Sequence, residues 1–295
     1  DPKTILIGGE SGTGKGLAAK VLHHNGVRAE KPIIELNCAA IPETLLESEL
    51  FGYEAGSFTD AKKMKTGILE DANGGTIFLD EIGDMSPTLQ AKLVKVVEER
   101  TFRRIGGKRD IKVDVRVVAA TNKDLKALVE NNQFREDLYH RLNVINFEMP
   151  TLRERREDIP FLTKHFIDFF NVDFNKTIDT VPEEIEKAFM GYHWPGNVRE
   201  LRSTIERAVL LSSGNVLDPK YVQLDEQGKG VKIHNDDRKM FFELDLDKMT
   251  LDSVEEMIIK KALELTDWNQ TKAAEMLGVT RQILRNRMIK MDLLN

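Results

Sequence analysis

A glycine-rich run near the start of the chain constrains the fold more than any other feature. Gly9–Gly16 reads Gly-Glu-Ser-Gly-Thr-Gly-Lys-Gly, directly after the apolar run Thr4–Gly8 and before the helical pattern Leu17–Leu22. Glycines let the backbone turn back so that successive N–H groups converge on one phosphate cluster, and the N-terminus of the following helix adds positive charge. This strand–loop–helix context therefore predicts a phosphate-binding loop on an α/β fold.

Within this loop, Lys15 supplies a mobile positive charge for the β- and γ-phosphates of a nucleotide. The Ser or Thr that usually follows the lysine is replaced by Gly16, so the common hydroxyl ligand of Mg²⁺ is missing. This replacement keeps open a plain nucleotide-binding module with weak turnover. The predicted nucleotide-binding residues of the loop are Gly9, Glu10, Ser11, Gly12, Thr13, Gly14, Lys15 and Gly16.

Three further β-like runs alternate with helical patterns in the first half of the chain. They are Ile33–Asn37, Thr76–Asp80 and Val113–Thr121. Strands separated by helices favour a parallel sheet covered on both faces, in which functional groups gather at the carboxyl ends of the strands. That edge is expected to bring together Gly8, Asn37, Asp80, Glu81 and Asn122.

Two acidic residues at the end of the third run fit a Walker B motif. We expect Asp80 to hold Mg²⁺, through water, and Glu81 to polarise the attacking water. Asn122, at the end of the fourth run, suits the sensor of a γ-phosphate. Together with the phosphate loop, these residues predict an enzyme that hydrolyses ATP with Mg²⁺ as its cofactor.

The pattern changes near Pro150, after which the chain is predicted to be helical, with helices at Phe161–Phe170, Pro182–Met190 and Val198–Leu211. A mixed polar stretch follows, and the last part is helical again. We therefore divide the chain into an α/β ATPase subdomain (1–150), a helical lid subdomain (151–222), a linker (223–248) and a helix-turn-helix domain (249–295).

The C-terminal part carries the pattern of a DNA-binding helix-turn-helix. An amphipathic helix at Leu251–Thr266 precedes two shorter helices separated by Gly278, which suits a turn, and Thr280, which can cap the second helix. The whole chain has a net charge of −6, but five basic and two acidic residues from Trp268 onwards give this end a local +3. A helical hairpin used only for dimerisation stays open. The residues expected to reach double-stranded DNA are Thr280, Arg281, Gln282, Arg285 and Asn286.

Composition excludes several other classes of protein. No uncharged apolar run approaches the ~18 residues of a membrane span, and the first residues do not form a signal peptide. The single cysteine, Cys38, cannot form an internal disulfide and is expected to be a small core residue rather than a nucleophile. A cytoplasmic protein without membrane partners is therefore expected.

Seven motifs together resemble one family, the AAA+ bacterial enhancer-binding proteins, which are NtrC-like activators of sigma-54 RNA polymerase. The resemblance covers nearly the whole chain and implies the AAA+ core, the helical lid and a Fis-type DNA-binding domain. The motifs that carry it are Gly9–Lys15, Leu36–Ala40, Glu49–Glu54, Asp80–Glu81, Phe134–Leu142, Leu152–Ile159 and Trp194–Leu201.

The resemblance also implies roles that the residues alone leave open. Asn37 is similar to the switch residue that pairs with Glu81, and Arg135 and Arg141 are similar to arginine fingers that reach the ATP of a neighbouring subunit. From the sequence alone, surface salt bridges remain the alternative for these two arginines. Arg199, at the start of a helix that Asn197 is expected to cap, resembles the sensor-II arginine. The family forms hexameric or heptameric rings with paired DNA-binding domains and includes regulators of two-component systems.

The family's sigma-54 contact loop, GAFTGA, here comprises Gly56, Ser57, Phe58, Thr59, Asp60 and Ala61. The resemblance assigns sigma-54 contact to Phe58 and Thr59, whereas Asp60 adds a carboxylate where the family has glycine. In this family a Glu usually follows the loop lysine, so Gly16 departs from both patterns. The resemblance thus implies an ATP-driven transcriptional activator that binds upstream DNA and remodels sigma-54 polymerase. Asp60 keeps open a DNA-binding AAA+ regulator that acts without sigma-54, as a repressor or architectural oligomer.

Overall fold

A computed structural model describes residues 4–58, 61–224, 255–256, 258–260, 262–263, 266 and 268–291. The chain forms two compact units, Asp1–Glu226 and Gln227–Asn295. The first unit contains an α/β part followed by a helical part, and the second contains the helix-turn-helix.

The α/β part is built on a five-stranded parallel sheet, as the alternating pattern predicts. Its strands are β1 (Ile5–Gly8), β2 (Ile33–Asn37), β3 (Thr76–Asp80), β6 (Arg116–Thr121) and β7 (Ile145–Glu148), while β4 (Thr101–Phe102) and β5 (Ile111–Lys112) form a separate antiparallel pair. The order across the sheet is β2-β3-β6-β1-β7, so the phosphate loop leaves a strand that has neighbours on both sides.

Two predictions about the strands need correction. The strand predicted over Val113–Thr121 begins only at Arg116, because the Val113 N–H donates to the Arg100 carbonyl and the Asp114 carbonyl accepts from Gly74 N–H. The sequence also gave no sign of edge strand β7, most of whose side chains are exposed.

Helices cover both faces of the sheet because successive strand residues point to opposite sides. In β3, Ile77 and Leu79 join one buried cluster with Leu89 and Leu93, while Phe78 joins another with Ala19. The helices are α1 (Lys15–His24), α2 (Glu43–Phe51), α3 (Ile68–Asp71), α4 (Pro87–Glu99), α5 (Leu125–Glu130) and α6 (Glu136–Leu142).

The helical part has its own core. Its α-helices are α7 (Ile159–Phe174), α8 (Glu183–Gly191) and α9 (Asn197–Leu211). Two short 3₁₀ turns, Leu152–Glu154 and Arg156–Asp158, precede α7. Trp194 is fully buried, and its indole N–H donates to the Phe189 carbonyl over 2.9 Å. A buried indole normally finds such a partner, so this ring fixes the path of the chain into α9.

The second unit contains α10 (Gln270–Met276) and α11 (Arg281–Lys290). Gly278 adopts φ +65° in the turn, and the Thr280 hydroxyl accepts from the Ile283 N–H, as expected of a helix cap. Leu284 and Met288 are buried against Ala273 and Ala274 of α10. Residues 251–254 of the preceding predicted helix lie outside the described residues, whereas 255–256, 258–260 and 262–263 are helical.

Cys38 is a core residue, as predicted. It is 4% exposed, and burial, aided by the nearby Asp80 carboxylate, raises the pKa of its thiol to about 12, which keeps it protonated and unreactive. Among the residues that the structure describes, no helix has the length and apolarity needed to cross a bilayer.

Candidate nucleotide-binding site

The glycine-rich loop joins β1 to α1 in the conformation that the sequence predicts. Gly9, Gly12 and Gly14 have φ of +132°, +81° and +103°, a region that side chains rarely allow. Gly12 is also required for space, since a Cβ atom there would lie 2.2 Å from the Gly196 carbonyl oxygen. The loop therefore turns tightly and lies directly against the start of α9.

Lys15 points back into this loop and is only 6% exposed. Its ammonium group donates to the carbonyls of Gly9 and Glu10, over 2.8 and 3.2 Å, and lies 3.9 Å from the Glu81 carboxylate. The other Glu81 oxygen accepts from the Asn122 N–H over 3.2 Å. The structure thus brings together the loop lysine, the second Walker B acid and the predicted sensor.

Glu81 has φ +52°, a left-handed conformation that is costly for a residue with a side chain. This backbone conformation directs the Glu81 carboxylate towards Lys15 and the Asn122 backbone N–H at the end of β3. Such strain is common at functional sites, where the surrounding structure must hold the residue in place.

Asp80 and Asn37 lie at the same edge of the sheet, in register on β3 and β2. One Asp80 oxygen accepts from the Glu81 N–H over 3.1 Å. The Asn37 side chain accepts from the Ala39 N–H over 2.9 Å and makes no hydrogen bond to Glu81 among the contacts that the described residues show. The switch role of Asn37 stays a prediction.

The start of α9 contacts the loop, although not in the predicted manner. The Arg199 guanidinium donates to the Ser11 hydroxyl over 2.8 Å, which places the predicted sensor arginine at the loop. Asn197, however, does not cap α9. It lies inside the helix bounds at φ +53°, fully buried, and its side-chain oxygen accepts from the Leu152 N–H while its amide donates to Glu10 and to the Ser11 carbonyl.

Glu10 forms a junction between the loop and the helical part that the sequence did not reveal. Its carboxylate accepts two hydrogen bonds from Arg153, over 2.5 and 2.9 Å, and one from Asn197 over 3.1 Å. The Arg153 bonds, helped by Asn197, lower the pKa of Glu10 to about 2. Arg155 adds a bond to the Thr13 carbonyl. The motif Leu152–Ile159 contains both arginines and was the available signal.

Arg135 and Arg141 lie exposed at the two ends of α6. Arg135 forms a two-bond ion pair with Asp137, which raises the pKa of the guanidinium and lowers that of the carboxyl. Arg141 pairs with Glu98 over 2.6 Å. Both side chains therefore form surface ion pairs, and their role as arginine fingers stays a prediction.

The predicted sigma-54 contact loop is only partly described, because Thr59 and Asp60 lie outside the described residues. Phe58 is 45% exposed and packs edge-on against Tyr53, with ring centroids 4.9 Å apart. The loop closes through bonds from Gly56 N–H to the Ala61 carbonyl and from Ala61 N–H to the Phe58 carbonyl. The Ser57 hydroxyl is buried and has no hydrogen-bond partner among the residues that the structure describes.

The predicted DNA-contacting side chains are displayed on the exposed face of α11. Arg281, Gln282, Arg285 and Asn286 are all exposed, and Gln282 donates to Asn286 over 3.3 Å. Ile283 is 44% exposed beside them, and this apolar group was not among the residues predicted to contact DNA.

The residues present fit ATP and Mg²⁺. The glycine loop turns around a buried lysine, which is the donor set for a triphosphate, and Asp80 offers carboxylate oxygen, the ligand type that Mg²⁺ prefers. Among the described residues, no group of three or more potential metal ligands occurs.

Comparison with known proteins agrees with this geometry. Profiles described as Sigma-54 interaction domain, AAA+ ATPase lid domain, and Bacterial regulatory protein, Fis family, match residues 1–148, 153–237 and 250–291. The regulatory protein AtoC of Escherichia coli K12 is 45% identical over 97% of this chain and 62% of its own length. The nitrogen fixation protein AnfA of Azotobacter vinelandii is 46% identical over 97% of this chain and 52% of its own.

Solved structures of NtrX from Brucella abortus are similar over nearly the whole chain. One, at 30% identity and a TM-score of 0.73, covers 99% of this chain and 64% of that protein, and another was solved in complex with ATP. The chain spans about three fifths of the length of AtoC.

The fold and the site define an AAA+ P-loop protein with a helical lid. The chain belongs to the family with a sigma-54 interaction domain, whose profile covers half of its residues.

Proposed function

We propose that this chain is an ATP-hydrolysing transcriptional activator that binds upstream DNA and remodels sigma-54 RNA polymerase. The observation that carries the proposal is the convergence of Lys15, Glu81 and Asn122 beside a glycine loop, in a chain whose family is defined by sigma-54 interaction. The proposed domain boundaries are 1–150, 151–222, 223–248 and 249–295, and the proposed location is the cytoplasm.

Hydrolysis of ATP requires positioning and charge neutralisation more than covalent chemistry. Lys15 and the loop N–H groups bind the β- and γ-phosphates, and Arg199 reaches the nucleotide from the lid. Glu81 orients the attacking water and accepts its proton, while Asn122 contacts the γ-phosphate. Asp80 holds Mg²⁺, which supplies further charge neutralisation when bound. Asn37 links Glu81 to the rest of the domain.

Arg135 and Arg141 complete the site of the neighbouring subunit in a ring of six or seven. Both are exposed, and breaking a surface ion pair costs little, so either can leave its carboxylate partner for a triphosphate. The exposed apolar side chains of Leu17 and Val21 on α1 support packing against a second copy. A heterologous contact repeated from subunit to subunit closes into a ring when the successive rotations add up to a full turn.

At the other end of the chain, α11 enters the major groove of upstream DNA, and paired domains read two half-sites. Phe58 and its neighbours in the loop Gly56–Ala61 contact sigma-54. This division of labour places the DNA contact and the ATP-driven contact on separate compact units.

The test of the shared site is complementation between two inactive variants. Lys15→Ala removes phosphate binding but keeps the fingers, and Arg135→Ala does the reverse. We expect each variant alone to be nearly inactive and a mixture to recover turnover, because the first variant supplies arginines to intact sites of the second. The wild-type rate per subunit should also rise steeply with protein concentration. A rate independent of concentration, together with no recovery on mixing, would contradict the ring.

A further inference from the structure

The helical lid makes hydrogen bonds to the phosphate loop, in addition to those that the loop makes within the α/β part. Every residue from Glu10 to Thr13 receives a hydrogen bond from a lid residue. The donors are Arg153, Arg155, Asn197 and Arg199, whose acceptors are the Glu10 carboxylate, the Ser11 carbonyl and hydroxyl, and the carbonyls of Gly12 and Thr13. The last two residues of the loop, Lys15 and Gly16, form the start of α1. The loop is thus shared between the two parts of the unit.

Glu10 is the point at which two separate segments of the lid meet. Arg153 comes from the first 3₁₀ turn of the lid, and Asn197 from the start of α9. Asn197 is fully buried and also binds the Leu152 N–H over 2.9 Å, so it fastens both segments to each other and to Glu10. A movement of the lid that breaks one of these bonds therefore disturbs the others.

The other end of Glu10 faces the phosphate site. Its carbonyl accepts from the Lys15 ammonium over 3.2 Å and from the Thr13 hydroxyl over 2.8 Å. One residue therefore contacts the phosphate-binding lysine through its backbone and the lid through its side chain. No intervening residue is needed to connect the two.

We propose that Glu10 is a positioning residue that couples nucleotide at the phosphate loop to the orientation of the lid, through Arg153 and Asn197. The proposal rests on the proposed function, since it assumes that the loop binds a nucleoside di- or triphosphate. A loop and lid held in place before binding spare the nucleotide the entropic cost of ordering them. The role differs from that of Arg199, which acts on the nucleotide itself.

The competing explanation is that the Glu10–Arg153 ion pair only stabilises the fold. The two explanations predict different effects on the unfolding free energy and on the orientation of the lid. The Glu10 and Arg153 side chains are 42% and 38% exposed, so the pair contributes little to the unfolding free energy. Its effect on orientation is not reduced in the same way, because a two-bond guanidinium–carboxylate pair fixes direction as well as distance. Removing the charge of Glu10 or Arg153 should therefore alter the orientation of the lid more than the unfolding free energy.

The test uses the full chain and two readouts, affinity for a fluorescent ADP analogue and the distance between lid and α/β part. Spin labels are placed at Val172→Cys on α7 and Val27→Cys in the α/β part, which are 86% and 82% exposed. The natural Cys38 is buried and stays unlabelled. The variants are Glu10→Gln and Arg153→Gln. Arg103→Gln is the matched control, since Arg103 makes an equivalent two-bond pair with Asp110.

We expect ADP to sharpen the distance distribution of the parent protein. Either Glu10→Gln or Arg153→Gln should broaden it, remove its response to ADP and weaken ADP binding roughly tenfold, as for loss of a charged hydrogen bond. The double variant should be no worse than either single one, and Arg103→Gln should behave as the parent. The midpoint of thermal unfolding should be unchanged throughout.

Parent-like affinity and distances in both variants would overturn the coupling while leaving the proposed function intact. So would weaker binding that follows a lower unfolding midpoint with unchanged distances. If the parent protein itself binds no ADP, the proposed function fails together with this inference.

Discussion

The candidate nucleotide site and α11, the helix proposed to read DNA, are built in opposite ways. Lys15 is 6% exposed and Asn197 is fully buried. Lys15 donates hydrogen bonds to the Gly9 and Glu10 carbonyls of its own loop, whereas Asn197 accepts one from the Leu152 N–H, which lies 45 positions away in the sequence. On α11, by contrast, Arg281 and Arg285 are exposed, while Leu284 and Met288 are buried in the core of the second unit.

This difference is the one expected for the two proposed ligands, a nucleoside triphosphate and a DNA groove. A triphosphate must be surrounded and its charge met at fixed points, so the geometry has to be set before binding. A DNA groove is read from outside by side chains that extend from a helix. Substitutions in the nucleotide site should therefore change several properties together, whereas those on α11 should separate binding from stability.

The largest effect is expected for Lys15→Ala. Loss of the buried ammonium removes the charge that meets the β- and γ-phosphates, and ATP turnover should fall by about 10²–10³-fold. Lys20→Ala is the matched control, since Lys20 lies on the same helix but pairs with Glu35 at the surface. Steady-state ATPase rates check both. Equal ATPase rates in the two variants would show that the buried charge of Lys15 matters no more than the exposed charge of Lys20.

A smaller effect, confined to binding, is expected on the DNA side. Arg281→Ala should weaken specific DNA binding by about 1–3 kcal/mol and nonspecific binding by less, with no change in the unfolding midpoint. Lys260→Ala, an exposed lysine of the same unit paired with Glu256, should change neither. Titrations with cognate and random duplexes measure the difference. Equal losses on both duplexes would argue against base reading by Arg281.

A third prediction tests whether the nucleotide site needs glycine at position 16. Gly16 is the second residue of α1, and a Cβ atom there would meet its nearest neighbour, the Phe78 ring, at an ordinary 3.7 Å. Gly16→Ala should therefore raise the unfolding free energy by about 0.4–1 kcal/mol, because the unfolded chain loses freedom. Denaturant titration tests this, and a destabilised variant would show that the site does need glycine here.

The smallest effect concerns acid. The pKa of Glu10 is lowered from 4.5 to about 2, mainly by Arg153, so its stabilising contribution is complete above pH 4.5 and is lost as the pH falls towards 2. The junction should stay ionised between pH 7 and 4. Carbon NMR of the Glu10 carboxyl should show no titration in that range, and Arg153→Gln should move the midpoint upwards. A midpoint near 4.5 in the parent protein would show that the junction does not form.

The sequence predicted the α/β fold and the position of the phosphate loop in it, but not the long-range contacts between that loop and the lid. Local motifs indicated the phosphate loop and the Walker B acids, because each motif has a fixed spacing within a few residues. Glu10 and Arg153 are 143 positions apart, and no local pattern announces a contact of that length. The strand β7 was missed because its exposed side chains form no apolar run. Asn197 was predicted to cap α9, but it lies inside the helix, and its side chain bonds instead to Leu152 and Glu10.

We expect nucleotide at the buried site to control a contact with sigma-54 made by the loop Gly56–Ala61. The most direct test is retention of purified sigma-54 by the protein in the presence of ADP and aluminium fluoride, an analogue of the ATP transition state. We predict retention by the parent protein and by Asp60→Gly, and none by Lys15→Ala or Phe58→Ala. A protein that hydrolyses ATP but retains sigma-54 in neither the parent form nor Asp60→Gly would contradict the account.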